Sequence, residues 1–126
     1  MADAFKLLGS YEAAPLASPL SFAPTVIAQI NEARSVKAKQ VSDVSLDADA
    51  PVTVDFGGIT SAHIVILKST LGKVRARLTS ADGSQQAVPF DTYLILMSES
   101  VPVTALDLTR VPGTPTVVRV FLAEKV

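Results

Sequence analysis

PVTVDFGGITSAHIVILK, residues 51–68, decides how the rest of the chain is read. Val52, Val54 and Phe56 alternate with Thr53 and Asp55, the period of a half-buried strand. Gly57 and Gly58 follow, with the φ freedom that a sharp reversal or a bulge requires. Residues 63–67, HIVIL, are β-branched and apolar almost without interruption, as in a strand covered on both faces.

Working outward, the same idiom recurs. KVRARLT (73–79) is an amphipathic strand with Val74, Ala76 and Leu78 on its inner side. SADGS (80–84) is a hairpin loop, and Asp82-Gly83 suits its positive-φ positions. The chain returns over 86–90. TYLILM (92–97) reads as a second strand buried on both faces, VPVTALDLT (101–109) as another strand, VPGTP (111–115) as a turn and TVVRVFLAE (116–124) as the last strand. Upstream, DVSLDAD (43–49) alternates and sets Val44, Leu46 and Ala48 on one side. TVIAQINEARSVKAK (25–39) fits a helix capped by Thr25, with Val26, Ile30 and Ala33 on one face, and equally a strand with Val26, Ala28 and Ile30 on one side. The β context and the Pro24 entry favour the strand. The expected fold is an all-β antiparallel sandwich or jelly roll of seven or eight short strands, forming one domain over residues 25–126.

Residues 1–24 have a different texture. Ala, Pro and Ser dominate AAPLASPLSFAP, and prolines at 15, 19 and 24 favour an extended N-terminal arm. The arm carries Phe5, Leu8, Leu16 and Phe22, large apolar groups that a solvated linker rarely contains. It packs on its own domain, lies on a neighbouring molecule or is a disordered tail, and these four residues are candidate interface positions.

Composition narrows the function classes. Hydrophobic residues make up 48% of the 126 and aromatics only 6%, so apolar surface is left over once one small core is filled. Self-association is the expected consequence. A net charge of −1 gives no global attraction for nucleic acid or anionic membrane. The absence of Cys removes disulfides, thiolate metal sites and thiol nucleophiles. MADAFKLLGSYEAAP has neither a basic leader nor an apolar signal core, and no apolar run approaches the ~20 residues of a membrane helix. Neither export nor membrane insertion is expected.

No stretch carries recognisable catalytic machinery. His63 is the single histidine, too few for a His-rich metal centre, and a hydrolase triad would have to draw on it without a G-x-S-x-G elbow. FGGITS lacks the Lys and the helix of a phosphate loop. Asp43, Asp47, Asp49 and Asp55 lack the Gly and terminal Glu of a calcium loop, and read as the wet face of strands. Lys73, Arg75 and Arg77 form a basic stripe along one strand face, a solvated surface or an electrostatic contact with a protein partner. Aromatic platforms for single-stranded nucleic acid or sugars are missing, since Trp is absent and only Tyr11 and Tyr93 occur. A non-enzymatic protein without cofactor or metal is the expectation.

VTVDFGGITSAHIVILKS, KVRARLTSADGSQQAVPFDTYLILMSE and VTALDLTRVPGTPTVVRVFLAE together resemble small virion structural proteins of tailed bacteriophages, in particular capsid decoration (cement) proteins with a jelly-roll or sandwich fold. The Pro/Ala-rich arm resembles the arms by which such proteins lash subunits together. The resemblance implies a homotrimer on the capsid surface of the virion, assembled in the host cytoplasm and bound to the major capsid protein where capsomers meet. A tail or baseplate component shares this texture, and a sugar- or receptor-binding sandwich is the reading outside the class.

Overall fold

The computed structural model describes the backbone of residues 3–13, 25–98 and 100–126, with side chains from Val36 onward. Every element among the described residues is a strand: β1 (Asp3–Ala13), β2 (Thr25–Leu46), β3 (Val52–Thr53), β4 (Ile64–Ser69), β5 (Val74–Ser80), β6 (Gln85–Phe90), β7 (Tyr93–Met97), β8 (Val103–Arg110) and β9 (Thr116–Lys125). They form a five-stranded sheet, β1-β2-β9-β4-β7, and a four-stranded sheet, β3-β8-β5-β6. All the pairings are antiparallel. The protein is therefore the all-β antiparallel sandwich that its alternation implies.

Period-two patterning sets the inner faces. Val74, Ala76 and Leu78 of β5 are buried while Arg75 and Arg77 between them are exposed. The core between the sheets unites these with Val65 and Leu67 of β4, Leu106 and Leu108 of β8, and Val118, Val120 and Leu122 of β9. Turn chemistry also follows the sequence. The 80–84 loop closes with Ser80 N–H donating to Ser84 O, Gly83 at φ +86° and the Asp82 carboxylate accepting from Ser84. Gly113, in VPGTP, sits at φ +82°.

Three local expectations change. The strand read over residues 52–56 is only two residues long. The Val54 N–H still donates to Leu106 O at 2.9 Å, but the Asp55 carboxylate then accepts the Gly57 N–H and turns the chain away. Gly57 takes φ +60° at that turn, whereas Gly58 keeps an ordinary φ. DVSLDAD is strand only as far as Leu46. TYLILM, read as buried on both faces, is the edge strand β7, with Tyr93 54% and Ile95 44% exposed. Its apolar run matches that of β4, and both strands set their outward residues on the open face of the sheet, where Ile66 is half-buried. β7, beside one strand where β4 has two, is the less covered.

The segment 25–39 is strand, and it belongs to the longest element. β2 spans about 70 Å at the usual rise per residue. Its second half, from Val36 to Leu46, pairs with β9; its first half, from Thr25 to Val36, pairs with β1. β9 ends at Lys125, opposite Val36. Residues 25–35 and β1 therefore continue as a two-stranded ribbon for about 35 Å beyond the last pairing with β9. β1 has β2 as its one substantial neighbour among the described residues. β1 thus falls inside the stretch read as an extended arm, and residues 14–24, with Leu16 and Phe22, lie outside the described residues.

Candidate interaction surface

The outward face of the five-stranded sheet is unusually apolar. Antiparallel register aligns residues of β2, β9, β4 and β7 into rows. One row is Val41, Phe121, Ile66 and Ile95. Val41 is 59% exposed, Ile95 44%, and the two between them are half-buried. A neighbouring row, nearer the ribbon, adds Ala123, Ile64 and Met97, and Ile64 and Ala123 are buried in a second apolar cluster with Val36.

The row on the other side is polar. It runs Asp43, Arg119, Lys68 and Tyr93. Arg119 Nε and Nη2 donate to the two Asp43 carboxylate oxygens at 3.0 and 3.4 Å, which lowers the Asp43 pKa and raises that of Arg119. The Lys68 ammonium lies 5.6 Å from the centre of the Tyr93 ring. An apolar stripe four strands wide, bordered by charge, has the anatomy of a protein–protein contact.

The basic stripe expected on the other sheet is only partly assembled. Arg77 Nη2 lies 3.6 Å from Asp107 Oδ2, and Thr53 Oγ1 donates to the same carboxylate's Oδ1, so this charge is engaged within the fold. Lys73 and Arg75 are exposed and flank a shallow groove with Pro89, Thr109 and Arg110. Arg110 is mostly buried and is taken up by Asp49, through Nε to Oδ1 at 2.9 Å. The groove offers two available cations, too few to define a ligand by themselves.

Of the candidate arm positions, Phe5 and Leu8 lie on β1, opposite Arg34 and Asn31 of β2 in register. His63 is half-buried, and its Nδ1 accepts the Lys125 N–H at 3.3 Å. Its own backbone joins β9 and the end of β7, with His63 N–H donating to Ala123 O and Ser98 N–H to His63 O, both at 2.8 Å. That is the position of a structural histidine. Among the described residues, no three His, Asp or Glu side chains gather as metal ligands would.

Sequence reading missed the stripe because its members are scattered from position 41 to position 121 and become neighbours only through register. The usable signal was the outward half of each apolar strand: Ile64 and Ile66, Tyr93 and Ile95, Phe121. No protein-family model, curated protein or solved structure matches the chain.

Proposed function

We propose that this chain is a non-enzymatic structural protein of a tailed-phage virion, a capsid decoration protein that self-associates and binds the outside of the head. The observation that carries this reading is the ribbon of β1 and residues 25–35, which runs on past the sandwich with no third strand from its own chain among the described residues. Two strands alone are marginally stable in water. Such a ribbon suits a protein that orders it against a neighbouring subunit or a capsid surface, and the apolar stripe supplies a second contact. The textures that resemble decoration proteins supply the virion context, and a homotrimer bound to the major capsid protein is the assembly that the resemblance implies.

Co-sedimentation tests this reading. The purified protein should saturate intact heads at a fixed ratio and leave tails and immobilised glycans unbound. Saturation of tails instead would move it to the tail or baseplate, and glycan binding without particle binding would make it a recognition module.

A further inference from the structure

We propose that β7 is the seam through which two copies of this chain join, edge to edge and antiparallel, so that their five-stranded sheets become one. The inference rests on the self-association in the function proposed above, and adds where the contact lies and what symmetry it has.

The hydrogen bonds of β7 identify its open side. Ser98 N–H donates to His63 O, and Ser69 N–H donates to Thr92 O. These pairs belong to one antiparallel register, in which bonded pairs recur at every second residue. Leu94 and Leu96 therefore direct their peptide groups toward β4. Tyr93, Ile95 and Met97 direct theirs away from it, to an edge with no strand of this chain alongside among the described residues. The side chains of Tyr93 and Ile95 are also exposed on the outward face.

Edges are ordinarily guarded by charge, proline or shortness. The four-stranded sheet follows that rule: β6 carries Pro89, and β3 has two residues. β7 has the sequence YLILM, without charge, proline or glycine.

A second β7 fits this edge better than a generic strand does. In antiparallel pairing centred on Ile95, Ile95 faces Ile95 of the other copy, and Tyr93 faces Met97 of the other copy. All three outward-directed peptide groups are then used on both sides. The pairing also brings an aromatic ring beside a thioether, a favourable contact. The row Val41–Phe121–Ile66–Ile95 continues across the seam into the same row reversed, so two apolar stripes become one. This contact is isologous and two-fold. It differs from the three-fold contact of a simple trimer.

Cysteine scanning is clean because the chain has none of its own. The Cα atoms of a hydrogen-bonded antiparallel pair are about 5.5 Å apart, within disulfide range. Ile95→Cys in the full chain should give a disulfide-linked dimer on mild oxidation, and Arg75→Cys on the other sheet should not. Ile95→Pro removes an N–H that β4 does not use, and Ile95→Lys sets two ammonium groups against each other at the seam. Both should at least halve the mass seen by sedimentation equilibrium while keeping the circular dichroism of a folded sandwich. If Ile95→Cys stays unlinked, and the folded Pro or Lys variant keeps the wild-type mass, the seam is elsewhere although self-association stands. A wild-type chain that is monomeric at high concentration overturns both.

Discussion

Asp49 Oδ1 accepts the Gly113 N–H at 3.0 Å and the Arg110 Nε–H at 2.9 Å, while Arg110 Nη1 reaches Leu46 O at 3.4 Å. One exposed carboxylate thereby ties the end of β2 to the turn between β8 and β9. The Gly113 amide, and then the Arg110 guanidinium, lower its pKa below the ordinary Asp value. A carboxyl with a lower pKa folded than unfolded stabilises the fold above its unfolded pKa. It gives that stabilisation up as pH falls through the folded value. Asp49→Asn should therefore lower the melting temperature at neutral pH, and the gap from wild type should close in strong acid. Thermal melts of both proteins across pH check this, and a gap that persists unchanged in acid would show that another interaction is lost. The sequence offered Asp49 only as a member of an acidic series. Its partners lie 61 and 64 residues away, so nothing local pointed to them.

β4 and β7 make the same point for whole elements. IVIL and YLIL carry the same β-branched and aliphatic texture, and both read as doubly covered strands. Pairing separates them. β4 has β9 on one side and β7 on the other. On the inner face Leu67 is fully buried while its β7 partner Leu94 is half-buried. On the outward face Ile66 is half-buried while its β7 partner Ile95 is 44% exposed. Leu67→Ala leaves a cavity in the core and should cost about 2–5 kcal/mol. Ile95→Ala, measured at a concentration low enough to keep copies apart, should cost about 1 kcal/mol or less. Denaturant melts of the two variants check the contrast, and equal costs would mean that β7 is covered within a single copy. β5 was legible because its pattern is amphipathic: alternation with Arg75 and Arg77 announces which face meets water. A uniformly apolar strand carries no such mark.

For the whole molecule, the consequential feature is the division of β2 between two partners. Among the described side chains, the core between the sheets draws on residues from Ala38 onward, and the pairing of β2 with β9 begins at Val36. A chain beginning at Ser35 should fold and melt at nearly the wild-type temperature, because it keeps every β2–β9 pair. It should bind heads far more weakly, because the ribbon is gone. Calorimetry and co-sedimentation on the same preparation measure both. Failure to fold would assign the ribbon to the sandwich itself, and undiminished binding would remove it from assembly. The sequence by itself determined what depends on neighbours along the chain. Alternation fixed the inner face of β5, and Asp82-Gly83 and the VPGTP stretch with Gly113 marked turns. Several short strands separated by turn signals pointed to a sandwich, while residues 25–39 stayed open between helix and strand. The tertiary structure alone decided which apolar strand is central and which is an edge, how far β2 outruns β9, and which outward side chains align into a stripe. Those properties depend on hydrogen bonds between residues far apart in sequence, and a strand's own composition does not record how many neighbours it has.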